Sequence, residues 1–170
     1  MVLAAGLDVG VEIDRERARR IRRELKRHEA TAAASRSLRD RDLSAAELAE
    51  RLARAHVPPM ARAETVTRLA EARVVDDARL ARQRASTLAE RGAGDELIRY
   101  DLATRGIAPA AVEEALQALD PERERAERIV SRRGPGPRTA RYLARKGFPE
   151  DLAELAYAEG IAEDVPPAVR

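Results

Sequence analysis

The chain has 170 residues, no cysteine, 36% charged and 44% apolar residues, only 2% aromatics, and a formal net charge of +2 with a pI near 9.4. That length fits one domain or a short array of small units, and an apolar set dominated by alanine and leucine favours helices packed closely through small side chains. Absence of cysteine excludes a disulfide framework and a cysteine-ligated zinc site, and no apolar run approaches the roughly 18 to 20 residues of a membrane helix, so the chain reads as cytoplasmic with no membrane partner.

The opening "MVLAAGLDVGVEI" is mildly apolar but carries Asp8 and Glu12 and lacks a basic flank, so residues 1–13 read as a short extension rather than a leader. Beyond it, Gly and Pro punctuate stretches with 3.6-residue spacing and no period-2 alternation, which predicts an all-α chain. The expected helices run over 14–39, 44–55 and 59–73, then 77–91, 94–105 and 109–119, then 121–133, 136–146 and 149–160. The best-marked start is "LSAAEL": Ser44 is an N-cap, Glu47 completes a capping box, and Leu43 and Leu48 take the hydrophobic-staple positions. Asp77 and Asp120 are expected as N-caps, and Pro109, Pro121 and Pro149 as first-turn residues.

The end of the second helix, "RLARAHVPP", returns as "DLATRGIAP" and "YLARKGFPE" without gaps. Leu52, Leu102 and Leu143 share one slot and Ala53, Ala103 and Ala144 the next. His56, Gly106 and Gly147 follow, then Val57, Ile107 and Phe148. The Gly slot is where a helix turns left-handed at its C-terminus; in the first copy either His56 adopts that conformation or the turn differs. The same register aligns Arg41, Arg91 and Arg132 before each turn, and Val66, Leu116 and Tyr157 on each third helix. The expected architecture is three tandem three-helix repeats, about nine helices, in an elongated curved array, with the Leu slots as equivalent core positions. Its divisions are an extension at 1–13, repeats at 14–74, 75–120 and 121–160, and a tail at 161–170. A unit of about 40 residues buries little alone, so stacking must supply much of the stability.

Chemistry-bearing motifs are scarce. "GPGPRTA" fails as a phosphate loop because no Lys follows its last Gly and Pro135 and Pro137 delete backbone donors; with Gly134 it reads as a helix stop and restart. Asp76 and Asp77 lie at a helix start, where carboxylates satisfy N–H groups and the helix dipole. His28 and His56 have no partner that makes either a base or a ligand, and no Ser/His/Asp order, HExxH or GxSxG occurs. The expectation is a protein that is not an enzyme, with no cofactor and no metal.

Charge is unevenly spread. Residues 12–28 hold eight basic and four acidic residues, 92–121 two basic against six acidic, and 122–146 nine basic against three acidic. "RIVSRRGPGPRTARYLARK", residues 128–146, contains seven arginines or lysines and no acid. At about 100° per residue, Arg138, Arg141, Tyr142, Arg145 and Lys146 share one side of the helix and Ala140, Leu143 and Ala144 the other. That basic face, flanked by Arg132 and Arg133, suits phosphates or acidic protein surfaces, with Tyr142 stacking on a base or packing against the preceding helix. Secondary basic candidates are Arg19, Arg22 and Arg23 within the helix that also carries Arg15, Arg17 and Arg20, together with Arg41 and Arg91.

"RDRDLSAAELAERLARAHV", "RLAEARVVDDARLARQRA", "ERGAGDELIRYDLATRGI" and "PRTARYLARKGF", in this order over roughly residues 30–158, resemble the RecX family of bacterial recombinase regulators. The resemblance implies tandem three-helix repeats. It also implies binding to the RecA recombinase and its single-stranded DNA filament, with modulation, usually inhibition, of strand exchange and ATP hydrolysis. "VVDDARLARQ" matches the family's repeat-junction signature through Asp76, Asp77 and Arg79, with Leu80 in place of the usual aromatic; His56 replaces the usual Gly, and the N-terminal strand-like extension is shortened to "LAAGLDVGVEID".

The functional expectation is therefore a monomeric regulator of the RecA filament that touches single-stranded DNA directly or through RecA. The alternatives are an independent helix-turn-helix-like DNA-binding regulator or a repeat scaffold for an unrelated protein. The helix-turn-helix reading needs polar base-reading residues, yet Asn is absent and Gln occurs only at 83 and 117.

Overall fold

A computed structural model describes residues 14–161, so the expected extension at 1–13 and the tail beyond Ile161 lie outside the described residues. Within them the elements are α1 (Arg15–Leu38), α2 (Ala45–Arg54), α3 (Pro59–Glu71), α4 (Asp77–Glu90), α5 (Asp95–Thr104), α6 (Pro109–Gln117), α7 (Glu122–Arg133), α8 (Pro137–Arg145) and α9 (Glu150–Ile161). All are helices, with ends within two residues of those expected. The chain divides into two compact units, one ending at Asp76 and one beginning at Asp77.

In the first unit, α1 and α2 pack on α3 around Ala33, Ala34, Leu43, Leu48, Leu52 and Val75. The capping box at α2 is complete: the Ser44 hydroxyl accepts from the Glu47 N–H at 3.0 Å, and the Glu47 carboxylate accepts from the Ser44 N–H at 3.0 Å. Leu43 and Leu48 are both buried, as a hydrophobic staple requires. The Thr65 hydroxyl is buried in this unit without a hydrogen-bond partner.

The second unit holds α4 to α9 with two cores. One gathers Ala81, Ala85, Ile98, Leu102, Ile107, Val112 and Ala115; the other gathers Ala126, Ile129, Val130, Ala140, Leu143, Phe148, Leu152 and Ala156. Each helix triplet thus owns one core, in keeping with tandem three-helix repeats.

The repeated string has a physical basis. Leu52, Leu102 and Leu143 are each fully buried. The carbonyl of each accepts from the residue five positions on: Val57 N–H at 3.0 Å, Ile107 N–H at 3.2 Å and Phe148 N–H at 3.2 Å. His56, Gly106 and Gly147 between them have φ of 57°, 70° and 80°. This is the Schellman closure, in which a left-handed residue lets the chain satisfy orphan carbonyls and fold its next apolar residue onto the helix. A further left-handed residue that sequence reading did not anticipate, Arg73 with φ 56°, ends α3 in the same way.

Some local expectations are corrected. α4 begins at Asp77 itself, so Asp76 precedes the helix and accepts from Arg73 at 3.2 Å. Asp120 is not an N-cap, because Pro121 holds that position with an extended backbone (φ −48°, ψ 136°); the Asp120 carboxylate instead pairs with Arg128 at 2.7 Å. Tyr157 is exposed although Leu116 in the same slot is buried, since α9 packs through Leu152, Ala153 and Ala156.

Candidate functional site

The expected basic face is built where α7 stops and α8 restarts. Gly134 (φ 79°) and Gly136 (φ 126°) adopt backbone conformations that disfavour side chains, and Pro137 starts α8 at its first position. The Thr139 hydroxyl donates to the Gly134 carbonyl at 2.7 Å, and the Gly136 N–H donates to the Ala156 carbonyl at 2.7 Å, which pins the turn to α9. α8 buries Thr139, Ala140 and Leu143, so Arg138, Arg141 and Arg145 stand on its other side. Ala144, expected inside, is exposed; the inner stripe runs through Thr139 in its place.

Ion pairing separates two classes of cation in this unit. Arg82 pairs with Glu114 at 2.9 Å, Arg99 with Glu113 at 2.8 Å and Arg128 with Asp120 at 2.7 Å. Arg84 grips Asp101 through both carboxylate oxygens at 2.8 and 2.9 Å, and Arg105 reaches the same group at 3.2 Å. The hydrogen bond from Arg84, reinforced by Arg105, holds the Asp101 carboxyl below its usual range. Residues 92–121, acidic by sequence, therefore do not form an acidic face: five of their six carboxylates are engaged by arginine. By contrast Arg91, Arg132, Arg133, Arg138, Arg141, Arg145 and Lys146 make no ion pair among the described residues. Arg132 and Arg141 donate to backbone carbonyls of their own helices, and Arg133 lies over the Tyr142 ring, 4.1 Å from its centroid.

Two of these cations meet across helices. The Lys146 ammonium donates to the Arg91 carbonyl at 3.4 Å, which brings the end of α4 beside the end of α8 and adds Arg91 to the face. Tyr142 packs between cations and neighbouring backbone, with Lys146 5.7 Å from its ring centre; a Cβ at Gly92 would stand 2.9 Å from its hydroxyl. Its ring is thus part of the scaffold that spreads the charges, as expected of a tyrosine packed against the preceding helix. Beside the face a cleft between α4 and α7 is lined by Glu90, Gly92, Asp120, Arg128 and Arg132, so two carboxylates border Arg132 there.

What fixes α8 was not legible in the sequence. The first N–H groups of α5 have no side-chain cap of their own. They are capped by the third triplet: Gly94 N–H donates to the Lys146 carbonyl at 2.8 Å, Asp95 N–H to the Glu122 carboxylate at 2.6 Å, and Glu96 N–H to the Gly147 carbonyl at 3.3 Å. Burial raises the Glu122 carboxyl above its ordinary range, and the Asp95 N–H bond opposes that rise. Arg125 completes the joint. Its buried guanidinium donates to the carbonyls of Ala93 at 2.8 Å and Asp120 at 3.1 Å, pairs with the Asp95 carboxylate, and lies 5.9 Å from the centre of the Phe148 ring. A usable signal existed: Arg125 occupies the position one helical turn before the core residue Ile129.

The secondary candidates Arg19, Arg22 and Arg23 lie exposed on α1, and Arg41 lies exposed between α1 and α2, all in the first unit. Among the described residues no cluster of His, Cys, Asp and Glu could hold a metal ion, and no helix is long and apolar enough to cross a membrane.

Comparison with known proteins places these features. Residues 76–116, which hold α4, α5 and all but the last residue of α6, match the model of the second three-helix domain of RecX. The chain is 35% identical over 155 residues to a regulatory protein RecX from Deinococcus radiodurans, covering 85% of this chain and 74% of that protein. It is 30% identical over 142 residues to one from Halorhodospira halophila, covering 78% and 88%. Among solved structures, the fold resembles a regulatory protein RecX with a TM-score of 0.74 at 19% identity, covering 92% of this chain and 84% of that one. It also resembles RecX from Lactobacillus salivarius with a TM-score of 0.67 at 19% identity, covering 79% and 96%.

Proposed function

The chain belongs to the RecX family of regulatory proteins, and on that premise we propose that it binds the RecA recombinase filament on single-stranded DNA and inhibits its ATP hydrolysis and strand exchange. The observation that supports this reading is the set of seven cations at and beside α8 that make no ion pair among the described residues, on a unit whose remaining described arginines are largely neutralised. A patch whose cations make no ion pair among the described residues, while neighbouring arginines are paired, is suited to an external polyanion, either DNA phosphate or acidic RecA surface.

The protein acts in this reading as a regulator rather than a catalyst, as a monomer in the cytoplasm, with no cofactor, in recombination and DNA repair. Binding biases the filament only by its differential affinity for the active and inactive states, so the effect scales with how much better the face fits one geometry. Because most carboxylates of α5 and α6 are engaged by arginine, this reading rests on the cationic face rather than on the acidic stretch.

Titrating the protein against RecA assembled on single-stranded DNA, while following ATP turnover and strand exchange, tests the proposal. Both should fall, and the protein alone should turn over no ATP. No effect at saturation, or turnover without RecA, would overturn it.

A further inference from the structure

α1 has 24 residues, but its buried ones, Ala30, Ala33 and Ala34, all lie in its second half. At about 100° per residue those three alanines mark the face turned to the bundle. Continued toward the N-terminus, the same face carries Arg15, Arg19, Arg22, Arg23 and Lys26, within a sector about 100° wide. All five are exposed, and none makes an ion pair among the described residues. Ile21 and Leu25 fall on the opposite side, Glu16 stands at the edge of the row, and Glu24 turns away to pair with Arg27 at 3.0 Å. Arg27 also pairs with Glu64 of α3 at 2.8 Å, which anchors α1 where its packed half begins. The Arg27 hydrogen bond chiefly holds the Glu64 carboxyl below its usual range, with a smaller contribution from the charge of Arg23.

We infer that this row is a second anion-binding surface, separate from the α8 face, and that it takes the phosphodiester backbone of nucleic acid. At about 1.5 Å of rise per residue the five cations follow one another by roughly 6, 4.5, 1.5 and 4.5 Å along the helix axis, so long side chains can meet several charges of a linear polyanion. A protein partner is less well matched: interface hot spots set arginine beside aromatic or apolar anchors in a desolvated pocket, and this exposed row holds no aromatic or apolar residue. Phosphate contact needs only positive charge and reach, which the row supplies. The site lies in the first unit and involves no recombinase, so it stands or falls independently of the regulator reading.

The test uses the full chain with labelled oligothymidylate, a labelled duplex and polyglutamate as probes, each over a range of salt. The variant R15Q/R19Q/R22Q/R23Q/K26Q should keep its helical circular dichroism and bind oligothymidylate at least tenfold more weakly at low salt. The slope of log K against log salt should flatten by roughly 0.7 for each single-strand phosphate that the variant no longer neutralises. R15K/R19K/R22K/R23K, which keeps the charge, should bind close to wild type. A parallel loss on the duplex would assign the row to nucleic-acid backbone in general, and a loss confined to oligothymidylate would assign it to single strands. Unchanged affinity and slope in the Gln variant, equal losses in the Gln and Lys variants, or a loss seen only with polyglutamate would overturn the proposal.

Discussion

The Gly94 N–H donates to the Lys146 carbonyl oxygen at 2.8 Å, so the first turn of α5 sits on the last turn of α8. Orphan donors at one helix start meet orphan carbonyls at another helix end, and the two macrodipoles meet with opposite signs. The cations of α8 are thereby carried on a helix held by the neighbouring triplet.

Close approach at that joint requires glycine. A Cβ on Gly94 would lie 2.4 Å from the Gly147 carbonyl oxygen, although the backbone there (φ −81°, ψ 171°) suits any residue. Gly94→Ala should therefore destabilise by steric overlap alone, by about 1 to 3 kcal/mol, measured by urea unfolding. Gly134→Ala provides the contrast: nothing lies within 4 Å of its added Cβ, so its cost comes from positive φ.

Arg125 should matter far more than its neighbour Arg128. Arg125→Met strands the Asp95 carboxylate and two carbonyls in a partly buried joint, and breaking such a pair typically costs about 3 to 5 kcal/mol. The Arg128–Asp120 pair is exposed on both sides, so Arg128→Met should cost under about 1 kcal/mol. Equal effects in denaturant melts would contradict the lock assigned to Arg125.

The contrast between these arginines shows what sequence can carry. The capping box at Ser44, the Schellman closures after Leu52, Leu102 and Leu143, and the outward set of Arg138, Arg141 and Arg145 all depend on neighbours within about one helical turn or so, and all were legible. "PERERAERIV" alternates acidic and basic residues like a solvated helix face, yet Arg125 is buried because its partners, Ala93 and Asp95, lie about 30 residues earlier. The same distance problem hid the neutralisation of Glu113 and Glu114 by Arg99 and Arg82, and the seating of Arg91 against Lys146.

His56 holds a left-handed φ of 57° where the equivalent positions have glycine. Relief of that strain is partly offset by the greater freedom of glycine in the unfolded chain. His56→Gly should therefore raise stability by about 0.5 to 1 kcal/mol. A lower midpoint in urea would contradict this.

Thr65 offers a second gain in the first unit. Its buried hydroxyl has no partner, so Thr65→Val keeps the shape and removes an unsatisfied polar group. The expected gain is about 1 kcal/mol. A thermal midpoint below that of the wild type would refute it.

Asp101 makes part of the stability pH-dependent. Its carboxyl is held low by Arg84 and then Arg105, so the native state binds its proton less readily than the unfolded chain. The contribution is full above the unfolded value of about 3.9 and is lost as pH falls through the lower native value. The stability difference between wild type and Asp101→Asn should be present at neutral pH and shrink below about pH 4. A difference that grows on acidification would contradict the assignment.

In the proposed function the cations of α8, which make no ion pair among the described residues, are the contact with the recombinase filament. The direct test is binding of R138E/R141E/R145E to RecA assembled on single-stranded DNA, compared with wild type, after circular dichroism shows both equally helical. Binding and ATPase inhibition should fall together in the variant, with wild-type binding weakening steeply as salt rises. Binding and inhibition equal to wild type would contradict it, and would reduce the face to solvated surface.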